Sequence, residues 1–216
     1  MRKGMKMLKR TFGSVAVALF LLAGADQAIS QSNVEKKLLP EEQIRVRRFV
    51  GIGPRALATT PIYQTSIGAG AKRAQDWHVV TVNYDSAPEW MNDLLVEFHV
   101  LTMIPDPETR KNLYSLYKKT VRYVDIERGK DHRAMAFLRP AAINRYGKVV
   151  ASAAVLTVEG KVVDEQSETA VDLPEFWWRN PLVIDSPALT VREGYLLNRT
   201  ESPWALVNPD DYEVIK

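Results

Sequence analysis

The chain has no cysteine among its 216 residues. That excludes disulfides, thiolate metal sites, a cysteine nucleophile and the acylated cysteine of a lipoprotein anchor. Histidine is scarce, with three in all (His78, His99 and His132). Long apolar runs are lacking too. The run Phe12–Leu22 is shorter than the ~20 residues a bilayer-spanning helix takes. The Gly-x-Ser-x-Gly elbow of a hydrolase and the His-Glu-x-x-His of a metalloprotease are both missing.

The positive charge is less than it looks. The net charge of +3 rests on Arg2, Lys3, Lys6, Lys9 and Arg10 at the N-terminus. Beyond residue 30 there are 24 bases against 25 acids, a net of −1, so composition gives no support for nucleic-acid binding. What remains is unevenly spread. Residues 43–75 hold Arg45, Arg47, Arg48, Arg55, Lys72 and Arg73 with no acid, whereas 76–216 carry 16 bases and 22 acids. A basic arm precedes an acidic domain, and it either lies on that domain or meets an anionic partner.

Residues 1–30 read as a secretion signal: a basic start, the apolar run, then small residues offering cleavage after Ala25 or after Ser30. The stretch following Gly13 has no glutamate at its fifth position, where a type IV pilin signal carries one. Export to the periplasm or cell surface is expected, with no stable transmembrane segment after cleavage. Residues 31–75 then form an irregular, extended arm or linker, in which Ile44–Val50 has the composition of a strand and Gly51–Gly70 is rich in Gly, Ala, Thr and Pro.

Regular structure is predicted over 76–216. Trp77–Tyr84 and Leu94–Ile104 are dense in β-branched and aromatic residues, with Asp85–Pro88 as a turn and Pro88–Asp93 as one helical turn between them. Hairpins are expected around Glu127–Asp131, Arg145–Lys148, Glu159–Lys161 and Arg192–Gly194. Many short strands with close-set turns point to a mainly β, immunoglobulin-like antiparallel β-sandwich with an irregular N-terminal extension.

Candidate chemistry is thin. Gly51-Ile52-Gly53-Pro54-Arg55-Ala56 spells G-x-G-x-x-A, yet Pro61 leaves no room for a phosphate-binding helix, and Gly68–Arg73 lacks the Lys-Ser/Thr pair of a phosphate loop. His78 and His99 approach each other if strands 77–84 and 94–104 pair, but no third ligand stands at metal spacing. No catalytic residue, cofactor or metal site is assigned, and an enzyme is not expected. Of the five tryptophans, adjacent Trp177 and Trp178 would point to opposite faces of an extended segment, one into the core and one outward. They are the candidate surface for a protein partner or a glycan, against the plainer reading that they cap the sandwich.

The stretch Asp76-Trp77-His78-Val79 through Asn83-Tyr84-Asp85-Ser86-Ala87-Pro88-Glu89-Trp90-Met91-Asn92, continued by Phe98–Leu101 and Val121–Arg139, resembles the pilus-like proteins of Verrucomicrobia typified by Akkermansia. The resemblance implies an immunoglobulin-like fold and association with a type IV pilus-like system of the cell envelope. It implies no functional residues. The leading expectation is therefore a non-enzymatic envelope protein that contacts other pilus-system or envelope proteins. A carbohydrate- or mucin-binding module is the alternative, and a periplasmic hydrolase stands third.

Overall fold

The computed structural model describes residues 38–62 and 74–207, with the backbone of 213–214. The secretion signal expected over 1–30, the stretch Gly68–Arg73 and most of the tail beyond 207 lie outside the described residues.

Two long strands, β3 (Asp76–Pro105) and β4 (Asn112–Leu138), form a hairpin that runs almost unbroken along its length. It bends in the middle. The ladder shifts register between Ser86 and Trp90, and Asp125 and Asp131 on β4 take left-handed φ values of 52° and 61°. Aspartate tolerates that region better than most side chains. Pro88 lies in the skipped stretch, where its missing N–H costs no ladder bond. The Ser86 hydroxyl pins the bend: it donates to the Glu127 carbonyl, accepts from Gly129 N–H at 2.9 Å and lies 3.1 Å from His132 Nε2.

The bend folds the hairpin over itself. Val80, Val82 and Tyr84 from the first half of β3 share a core with Val96, Phe98 and Val100 from its second half, and with Tyr117, Val121, Ala134 and Ala136 of β4. Each fully buried valine or phenylalanine of this core contributes about 1.5–3 kcal/mol, and each alanine less. Around that spine, β1 (Ile44–Val50) and β2 (Leu57–Thr59) pair with the first half of β3, while β5 (Lys148–Val158) pairs with its second half and β6 (Lys161–Thr169) with β5. Short strands β7 (Leu189–Val191), β8 (Leu196–Leu197) and β9 (Glu213–Val214) add to β4. Helices are brief: α1 (Pro40–Gln43), α2 (Pro140–Tyr146) and α3 (Pro181–Ile184).

The chain is mainly β with the two-layered, sandwich arrangement expected, and the hairpin around Glu159–Lys161 joins β5 to β6. Several local expectations are corrected. Asp85–Asp93 is not a turn and helix, and Glu127–Asp131 is not a hairpin loop; both are the bend of continuous strands. The hairpin expected around Arg145–Lys148 is replaced by a helix, α2, opened by Pro140 at its first position and closed by Gly147 just before β5. Leu189–Val191 and Leu196–Leu197 do not form a hairpin with each other, because each is drawn to a different half of β4. The β4–β7 ladder is parallel, an exception to the antiparallel rule. Residues 44–50 and 57–59 of the arm are built into the sheet as β1 and β2.

Candidate functional site

The histidines come first, since they are the scarcest reactive groups. Strands 77–84 and 94–104 do not pair; they are the two halves of β3 and each pairs with β4. His78 and His99 are consequently held apart by separate partners. His78 is buried, and its Nε2 donates to the Gly51 carbonyl at 2.7 Å. His99 is buried on the outer side of the second layer, with Nε2 3.1 Å from Glu97, whose carboxyl that contact holds below its ordinary range. Among the described residues no three histidine or carboxylate side chains gather to hold a metal.

Burial pushes the His78 pKa below its ordinary value, because the apolar surroundings penalise the imidazolium. The unfolded chain takes up a proton near pH 6.5 while the folded one does not. Stability contributed by neutral His78 is complete above that pH and is lost as pH falls from about 6.5 toward the lowered folded value. The urea midpoint is expected to drop across that interval, ahead of carboxylate titration. In His78→Gln this part of the pH dependence is expected to vanish; an unchanged profile refutes the assignment.

The G-x-G-x-x-A loop has been put to another use. A single 3-10 turn, Pro54–Ala56, follows it and leads straight into β2. The amides of Gly51 and Ile52 donate to the Glu168 carboxylate at 2.9 and 3.0 Å. The backbone donors an incoming phosphate would require are thus satisfied by β6, and the contact ties the edges of the two layers together. Beside it lies a cleft of about 510 Å³ bounded by Arg48, Phe49, Ile52, Pro54, Arg55 and Glu168. Of the arm's arginines, Arg47 is committed to Asp85 in the bend of β3.

Trp177 and Trp178 are both buried, at 1% and 5% exposure, so the expectation of one outward indole is corrected. The segment turns back at Phe176, which has a φ of 52°, so the two side chains do not alternate as on a strand. Their rings meet edge-on at 5.8 Å and cover Leu101, Leu116, Ala151 and Ala153 on the outer face of the second layer. Trp177 Nε1 donates to Ser167 Oγ at 3.1 Å. On the outer face of the first layer, Trp204 covers Trp77 and Phe137 in the same way. Neither of the paired indoles presents a face to a sugar ring.

One cluster escaped the sequence reading. Arg192, just after β7, stacks its guanidinium 3.6 Å from the centre of the Tyr146 ring and donates from Nε to Ser115 Oγ at 2.9 Å. Arg145 lies 5.2 Å from the same ring. The Tyr146 and Tyr195 hydroxyls are 3.4 Å apart. That contact raises the Tyr146 pKa and lowers that of Tyr195, and the charged groups acting on both phenols are Arg145 and Arg192. Pro140 opening and Gly147 closing a seven-residue stretch were the available signal that Arg145 and Tyr146 sit on a helix. Ser115 also opens a Ser-x-x-Lys spacing with Lys118, but on a strand those positions face opposite sides, and its hydroxyl is taken by Arg192.

Beside this cluster β7 ends the sheet, and among the described residues no strand pairs with its outer side. In the parallel β4–β7 ladder, Tyr114 N–H donates to Ala188 and Arg192 N–H to Leu116, so the even-numbered residues face β4. Leu189 and Val191 alternate with them and direct their backbone away from the sheet. An apolar hollow of about 150 Å³ adjoins this edge, formed by Leu101, Tyr114, Leu173, Leu182, Val183 and Leu189. Leu182 on α3 is 82% exposed and Val191 is 54% exposed.

A protein-family model matches residues 56–216, from the last residue of the 3-10 turn onward, with β1 outside the match. The chain belongs to the Akkermansia-type pilus-like family. Family membership makes it a pilus-related protein. Three chains among the solved structures match. One of them, a crystal structure of a protein from Akkermansia muciniphila, has a TM-score of 0.63 at 20% identity, with 81% of this chain and 93% of that chain covered. At that identity the likeness carries the fold. No curated protein matches. Among the described residues no helix is long and apolar enough to cross a membrane.

Proposed function

We propose that this member of the pilus-like family is an exported, non-enzymatic cell-envelope protein that works through protein–protein contacts in a type IV pilus-like assembly. Family membership supports the pilus system, and the N-terminal secretion pattern supports export. The observation that carries the contact role is the open β7 edge with its apolar hollow and exposed Leu182 and Val191. Exposed edge strands readily accept a further strand, and a rimmed apolar hollow suits a partner's side chain. The reading against turnover draws support from the buried histidines, each engaged by a neighbour rather than turned into a cleft.

Affinity capture from envelope extract with the tagged full chain tests this. Enrichment of pilus-system proteins over an unrelated exported control is the expected result. Recovery of none of them counts against the proposal.

A further inference from the structure

We propose that the open edge of β7, together with Arg192 and Arg145, is a docking site for an extended partner segment that alternates apolar and acidic residues. The inference rests on the contact role proposed above and names the chemistry of the partner.

The edge offers hydrogen bonds in one direction. Leu189 N–H is taken by the Ser186 carbonyl at 3.0 Å, whereas the outward Leu189 C=O, Val191 N–H and Val191 C=O have no partner among the described residues. A strand laid along β7 would meet one donor flanked by acceptors, the pattern that β-augmentation uses. Side chains of neighbouring strands share a face, so the partner's residues would alternate between two environments.

On one face those environments are apolar. Leu189 pairs with Tyr114 and Val191 with Leu116, both on the side that carries the hollow. On the other face they are cationic. The Arg192 side chain turns to Ser115, and its guanidinium and that of Arg145 both lie against the Tyr146 ring. Among the described residues neither arginine has an ion pair, although residues 76–216 hold 22 acids against 16 bases. Two guanidiniums gathered without a carboxylate repel one another, and an arriving carboxylate would relieve that repulsion while accepting from the guanidinium fork. The Tyr146 and Tyr195 hydroxyls lie within the same cluster and add further polar contacts.

The probe is a fluorescein-labelled Val-Asp-Val-Asp-Val-Asp-Val peptide, read by anisotropy against the full chain, with the Val-Lys and Ser-Asp alternations as comparisons. The Val-Asp peptide is expected to bind best and to weaken with added salt. Arg145→Gln and Arg192→Gln are each expected to weaken it about tenfold, the loss of one charge-assisted contact. Val191→Pro removes the outward N–H without touching a β4–β7 bond and is expected to weaken it similarly; Arg48→Gln, in the distant cleft, leaves it unchanged. Unfolding curves confirm that each variant folds, and Arg145→Gln, on an exposed side chain, keeps the test alive if Arg192→Gln is unstable.

Absence of binding, equal binding of the acidic and basic peptides, or indifference to all three edge variants overturns the site. The two proposals fail separately. Peptide binding without capture of pilus-system proteins rejects the pilus assembly and keeps the docking edge. Undiminished capture by the Val191→Pro and Arg145→Gln chains rejects the edge and keeps the assembly.

Discussion

Gly147→Ala is expected to destabilise the domain by about 3–5 kcal/mol, enough to leave it largely unfolded at moderate temperature. Gly147 closes α2 with φ 91° and ψ −173°, a region that essentially only glycine occupies. Its N–H returns to the Ile143 carbonyl at 3.0 Å. An added Cβ would overlap atoms that cannot swing aside, the Met103 carbonyl oxygen and carbon and the Ile104 Cβ, all closer than van der Waals contact allows. Both costs therefore fall together, strain at the residue itself and displacement of β3 at its second end. Gly160→Ala is the control, because Gly160 also has a positive φ, 77°, but a Cβ there meets nothing within 4 Å. That variant isolates the conformational cost, ~1 kcal/mol or a little more. Urea unfolding compares the two, and equal losses would show that the close approach to β3 contributes nothing.

How much of this fold could be read from the residues depends on the range of the signal. Strand composition is local, so Ile44–Val50, Trp77–Tyr84, Leu94–Ile104 and the β5–β6 hairpin around Gly160 stood out. The bend of the long hairpin did not. Pro88 and Gly129 look like punctuation between strands, and in most sequences such residues end them. Here Ser86, Asp125 and Asp131 hold a continuous pair of strands through the bend, by a hydroxyl bridging to the facing strand and by left-handed aspartates. Nothing within a window of ten residues distinguishes a bent strand from two strands and a turn. The late segments fail for a related reason: Leu189–Val191 and Leu196–Leu197 are too short to state which long strand they join.

The site was less legible than the fold. A basic stretch attracts attention as charge, but Arg47 is committed to Asp85 in the bend. The pair that stands without carboxylates comes from positions 145 and 192, one on a helix and one beyond an edge strand, and only the fold brings them to one tyrosine ring. The G-x-G-x-x-A spacing misled in the opposite direction. Its amides serve Glu168, more than a hundred residues away, and that pairing is set by how the two layers meet.

Trp177→Ala is expected to cost about 3–5 kcal/mol, the range for emptying a large aromatic site in a packed interior. The indole is 1% exposed, meets Trp178 edge-on and gives its N–H to Ser167. Its removal opens a void over Leu101, Leu116 and Ala151 and strips the Ser167 hydroxyl of a donor. Trp177→Phe keeps much of the packing and loses the hydrogen bond, so a loss nearer 1–2 kcal/mol is expected from urea unfolding. The same variants separate packing from recognition. If the tryptophans served a glycan directly, Trp177→Phe would abolish glycan binding while the protein remained folded, and Trp fluorescence of the wild type would quench on the glycan. With both indoles beneath the surface, the expected result is no quenching, and a loss of β7-edge peptide binding in Trp177→Ala that tracks the loss of stability. The reason lies in the covering segment: Trp177 and Trp178 and the β7 residue Leu189 pack into one apolar layer, so the indoles support the edge from behind.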